Sequence, residues 1–150
     1  MAAQAWKFFN EAKRKLMDGT IDIDGATFKL ALYKSAANLS ANLTLSTLGS
    51  LANQVAAANG YAAGGKSCST PSWTILSAGA PGTWKFTWGS AVIFSASGGN
   101  ITSVAYGVIY AGATDIMCFS RLSTAAFDVT DGNTLTISPA AGGVFTLSGG

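Results

Sequence analysis

The stretch from Ile101 to Ala111 sets the strongest condition on the fold, because both of its alternating rows are apolar. Val104, Tyr106, Val108 and Tyr110 fall on one side, and Ala105, Gly107 and Ile109 on the other. An extended segment of this kind reads as a central strand that must be covered on both faces. Its neighbours supply covers. Trp73 and Ile75 alternate, Trp84, Phe86 and Trp88 alternate, and Val92 and Phe94 continue that parity past Gly89, which marks a bulge or corner. Ser97-Gly98-Gly99-Asn100 turns the chain into the central run. Gly112 to Asp115 turns it out again toward IMCFSRL as a hairpin partner, and TLTIS and GVFTLS follow. The pattern predicts a mainly β fold of about eight or nine strands, a β-sandwich, jelly-roll-like fold or barrel, in one domain spanning 1–150.

The N-terminal part reads differently. Across residues 2–17, Ala5, Phe9, Ala12 and Leu16 recur at helical spacing with Trp6 beside them, while Lys7, Glu11 and Arg14 face the other way. Glu11 stands four residues from both Lys7 and Lys15, and Asp18-Gly19 ends the helix. Four of the nine basic residues, Lys7, Lys13, Arg14 and Lys15, thus fall on one element, either as a solvated face or as a docking element for a partner. TIDID and Thr27 to Tyr33 then read as two strands, the second half-buried through Phe28, Leu30 and Leu32. Asp22-Ile23-Asp24-Gly25 reads as a turn between them. A calcium loop starting at Asp22 needs a carboxylate near position 33, which is Tyr33. Residues 35–70 form an irregular Ala/Ser/Asn/Leu segment with Lys66 as its only charge, and Leu45, Leu48, Leu51 and Val55 suggest a helix near 44–57.

Composition narrows the chemistry. Charged residues make up 11% of the chain, where an ordinary soluble domain has about 25%. The scarcity is regional, since only Lys66 and Lys85 are charged between Ser35 and Thr114. A net charge of +2 gives no basis for an extended nucleic-acid site. Without histidine, Ser-His-Asp and Cys-His catalysis, His metal ligation and a His pH switch are excluded. Glu11 sits among Lys and Arg, Asp115 and Asp131 sit in turn contexts near glycine, and Ser-x-x-Lys does not occur. We therefore expect no enzyme, no catalytic residues, no metal and no cofactor. Cys68 and Cys118 lack metal or redox spacing and read as two buried or partly buried thiols, with a bridge as the alternative. No window approaches the ~20 apolar residues of a membrane span, and the first residues show no secretion signal. Trp84 and Trp88, flanking Phe86, fit either a sandwich core or a sugar-stacking platform.

The order of segments also resembles a known group. AWKFFNEAKRKLMDGTIDIDGATFKLALYKSAAN, then SLANQVAAANGYAAGGKS, a Trp-rich strand, AVIFSASGGNITSVAYGVIYAG and DVTDGNTLTI are together similar to small virion structural proteins of tailed bacteriophages, some of which act as head decoration or cement proteins. The most specific pieces are the helix with DGTIDIDGATFKLALY, NGYAAGGK and DGNTLTI. The resemblance implies a virion protein assembled in the host cytoplasm, homo-oligomeric, in contact with the major capsid protein and with copies of itself. Trp6, Lys7, Phe9, Lys13, Arg14 and Lys15 are then the expected partner-binding residues. The alternative is a tail-tip or fibre-associated module that binds host-surface carbohydrate through Trp73, Trp84 or Trp88.

Overall fold

The run from Ile101 to Ala111 is a single strand at the centre of the largest sheet. The computed structural model describes residues 4–39, 43–77 and 82–148. In chain order the elements are β1 (Lys7–Phe8), α1 (Asn10–Met17), β2 (Phe28–Lys34), a 3-10 turn (Leu48–Ser50), β3 (Lys66–Ser67), β4 (Ser72–Ser77), β5 (Thr83–Thr87), β6 (Val92–Ser95), β7 (Ile101–Ala111), β8 (Asp115–Arg121), β9 (Phe127–Val129), β10 (Thr134–Ile137) and β11 (Phe145–Ser148). The large sheet runs β1-β8-β7-β2-β3, with β9 also on β7, and the small sheets run β11-β5-β4 and β10-β6. All strand pairs are antiparallel.

The fold is mainly β and sandwich-like, with no closed barrel among the described residues. One face of the large sheet meets the small sheets through aromatic rings. Phe28 packs on Phe86 at 4.9 Å, and Phe8 meets Phe145 edge-on at 4.4 Å. Trp6 likewise meets Trp88 edge-on at 6.5 Å. β5 and β6 belong to different sheets, so the segment around Gly89 is the corner between them. β7 is buried on both rows from Val104 onward, except for the half-buried Tyr106. On its second face Phe119, the partner of Val108, packs against Phe9 at 5.3 Å.

Five sequence expectations need correction. The helix does not span 2–17. Ala2 and Ala3 lie outside the described residues, Lys7 and Phe8 pair with Phe119 and Cys118 of β8, and the helix starts at Asn10. Gln4 N–H donates to Arg121 O and Phe9 N–H to Met117 O, so this backbone finds sheet partners that outweigh its helical periodicity. Glu11 accordingly pairs with Arg14, not with Lys7 or Lys15. TIDID is not a strand. Asp18 and Asp22 each accept an N–H two residues on, the side-chain turn that Asp favours, and the strand begins at Phe28. That strand, expected to be half-buried, is covered on both faces, with Ala31 and Tyr33 as buried as Phe28 and Leu30. The helix near 44–57 is absent as well, apart from the 3-10 turn. Its backbone bonds elsewhere: Leu48 N–H donates to Thr114 O, Val55 N–H donates to Leu32 O, and Asn53 has φ +61°. Eleven strands, two of them only two residues long, stand among the described residues where eight or nine were expected.

The irregular middle segment closes the outer edge of β2. β3 pairs with Lys29 and Leu30, and Asn53 O accepts from Lys34 N–H. The Tyr61 hydroxyl accepts the Leu32 N–H at 2.9 Å. NGYAAGGK holds this arrangement together. Tyr110 Oη donates to Gly64 O at 2.6 Å, and Lys66 Nζ donates to Ile93 O at 2.8 Å. Gly65 has φ +71° and passes so close to β2 that an added Cβ would lie 1.9 Å from Leu30 O.

Cys68 and Cys118 are buried free thiols. Burial pushes Cys68 up to about 12 and Cys118 well above its usual value. Burial also raises Tyr33, Tyr61 and Tyr110.

Two predictions follow from these placements. Gly65→Ala should destabilise the protein by several kcal/mol in urea unfolding. Gly19→Ala, at φ +78° with nothing near its added Cβ, should cost only about 1–2 kcal/mol. The raised thiols and phenols keep their protons in the folded chain, while the unfolded chain releases them from about pH 9 upward. Their contribution is therefore whole below pH 9 and lost as pH rises toward 12. Urea midpoints should fall as pH rises above about 9.

Candidate interaction surface

The three-stranded sheet β11-β5-β4 has two unlike faces. Register aligns Phe145, Phe86 and Trp73 in one row, and Leu147, Trp84 and Ile75 in the next row on the same face. The opposite face carries Thr146, Lys85 and Thr74, flanked by Ser and Thr. Alternation along each strand dictates this separation. Burial of an apolar face needs an opposing layer, and here the layer covers only one row. Phe86 is fully buried, whereas Ile75, Trp84 and Leu147 remain 50%, 42% and 59% exposed.

Beside this row lies a groove of about 490 Å³ between α1 and the sheet, lined by Phe8, Leu16, Met17, Trp73, Phe145 and Leu147 among others. Its walls are built from aromatic contacts. Trp73 stacks nearly parallel on Trp84 at 6.5 Å and packs on Phe145 at 5.6 Å. Lys13 and Thr146 are the polar residues of its lining. Met17, at the end of α1, is 83% exposed. Met17, Ile75, Trp84 and Leu147 together leave on the order of 500 Å² uncovered, at the upper end of what a monomer shows in one patch.

The helix is fixed beside the groove by an ion pair across elements. Lys15 Nζ lies 2.5 Å from Asp115 Oδ1 at the start of β8 and also donates to Ser46 O, and the Lys15 side chain is only 12% exposed. Asp115, expected in a turn, is therefore a strand residue that anchors α1.

The six residues expected to bind a partner separate into three pairs. Trp6 and Phe9 belong to the core assembly, Trp6 against Trp88 and Phe9 fully buried. Arg14 and Lys15 are neutralised within the chain, Arg14 by Glu11 and Asp18 and Lys15 by Asp115. Lys7 and Lys13 have no acidic partner among the described residues, but they occupy different elements, β1 and α1. The continuous basic face expected on the helix is not present. Of the tryptophans, Trp88 is core, Trp73 is half-buried in the groove wall and Trp84 is exposed. Leu147, Ile75 and Met17 were not singled out by the sequence. Strand alternation reveals their row, but which of two apolar rows stays uncovered depends on how far the opposing layer reaches.

Among the described residues no cluster of three or more metal-ligating side chains occurs, and no helix is long and apolar enough to cross a membrane. Comparison of the chain with protein-family profiles, curated proteins and solved structures finds no match.

Trp88→Ala should cost about 3–5 kcal/mol in urea unfolding, as for a large core side chain, whereas Trp84→Ala should cost less than about 1 kcal/mol.

Proposed function

We propose that this chain is a structural subunit of a tailed-phage particle, a head decoration or cement protein that binds by side-chain packing. The observation that carries this reading is the uncovered row Leu147–Trp84–Ile75 beside the groove at α1. An exposed apolar patch of this size on a rigid sheet fits a contact surface, and aromatic residues are the usual anchors of such contacts. Charge scarcity between Ser35 and Thr114 supports it too. Small neutral residues, including the exposed Ala56, Ala57, Ala58, Ala62 and Ala63, are cheaply covered, whereas unpaired charge is not. Copies arrayed on a shell would each be held by several modest contacts at once, so that detachment requires breaking all of them.

The capsid shell and sister copies are the partners in this reading. The sequence-derived route through a basic helix face is replaced by one through the apolar sheet face, because Arg14 and Lys15 are already paired. The stacked pair Trp73–Trp84 favours a second reading, a carbohydrate-binding module of a tail tip or fibre. Sugar recognition needs convergent hydrogen-bonding groups around the stacking ring, and Lys13 and Thr146 are the only polar residues of the groove lining.

Removing residues 1–17 would be a poor test, since it takes Phe9 out of the core. A Trp84→Asp, Leu147→Asp double variant leaves buried residues alone. Added to particles stripped of the protein, it should keep its circular dichroism spectrum and lose at least about tenfold in occupancy. Wild-type occupancy would overturn the reading, and loss of glycan binding with unchanged occupancy would favour the second one.

A further inference from the structure

On the face of the large sheet away from the small sheets, a cleft of about 140 Å³ is lined by Gln4, Ala5, Lys7, Tyr106, Phe119 and Arg121. Register explains why these residues meet. Lys7 pairs with Phe119, and Arg121, two residues farther along β8, pairs with Tyr106. Two-residue parity puts all four side chains on one face, with the two cations at diagonal positions on neighbouring strands. Like charges so placed repel unless something negative lies between them. Among the described residues the cleft lining contains no carboxylate, and the ion pairs involve only Arg14 and Lys15 as cations.

Arg121 is also underused. A guanidinium has five N–H donors, and among the described residues this one makes a single side-chain hydrogen bond, from Nη2 to Thr124 O at 2.5 Å. Its Nε is buried without a partner, and its central carbon stands 6.0 Å from the Tyr106 ring centroid. A guanidinium held against a ring, next to a free ammonium, presents a preoriented fork to a planar or tetrahedral anion. The volume suits one such group and is well short of the ~300 Å³ at which organic-ligand pockets begin.

We propose that this cleft is an oxyanion site, in which one carboxylate or phosphate group sits between Lys7 and Arg121, whose guanidinium is held by the Tyr106 ring. The site stands independently of the proposed role in a particle, since it lies on other residues and on a different sheet.

The test is a titration of the ¹⁵N-labelled full chain at constant ionic strength, replacing sodium chloride by sodium phosphate in one series and by sodium acetate in another. Saturating shifts confined to the amides of Gln4, Lys7, Tyr106, Phe119 and Arg121, together with the Arg121 Nε–H signal, are expected. Saturation by phosphate alone assigns a phosphate group, and saturation by acetate alone a carboxylate. Lys7→Gln, at an exposed position, should weaken binding by roughly threefold or more without changing the remaining spectrum. Arg121→Lys, which keeps the charge and removes the fork, should weaken it further. Shifts no larger than those in sodium chloride, or saturation indifferent to Lys7→Gln, would overturn the proposal.

Discussion

Everything in this molecule is arranged around the need to cover β7 twice. An eleven-residue strand with apolar side chains on both rows has no stable place at a surface, and β2 and β8 beside it are buried in the same way. One face is closed by Phe28, Phe8 and Trp6 against the aromatic rows of the small sheets. The other is closed by Phe9 at the start of α1, while Tyr110 on that face ties the middle segment down. The buried residues of all three sheets and the helix form one continuous cluster. The helix, the corner at Gly89 and the loop between β2 and β3 are each answers to that one demand.

Much of this was legible from residue order. Alternation located the strands of the small sheets and the hairpin from β7 to β8, because period-two patterns depend only on local geometry. Asp18-Gly19, the two-Asp turn and Asp131-Gly132 announced chain reversals through side-chain chemistry that acts within a few residues. Tertiary pairing accounts for the misreadings. Lys7 and Phe8 belong to a helical pattern until β8 offers backbone partners, and Leu45 to Val55 does so until β2 needs its edge filled. The same limit applies to the surface. Trp84 and Phe86 are equivalent in the sequence, yet one is exposed and the other is fully buried, because the covering layer ends between their rows.

The proposed function rests on surface features that residue order gives only in part. The scarcity of charge pointed to a surface meant for contact, but it could not say which surface. The basic residues pointed to the helix, where two of them turned out to be held by acids of the same chain. Lys7, displaced onto β1, instead shares a cleft with Arg121, more than a hundred residues away along the chain. Two unlike surfaces result, one apolar beside α1 and one cationic on the far side of the sheet. A protein that must be held in one orientation against a larger body has use for exactly such a difference between its sides.

The filled edge of β2 bears on how such a protein survives at high concentration. A charge-poor, β-rich chain with an open edge strand invites strand-by-strand addition, which has no natural stopping point. Tyr61, Asn53, Val55 and the short strand β3 occupy hydrogen-bonding groups along that edge. This edge of the large sheet is thereby closed to a further strand. Through Tyr61 and the close turn at Gly65, NGYAAGGK thus guards the flank of the large sheet where a second copy of a charge-poor strand would otherwise find a template.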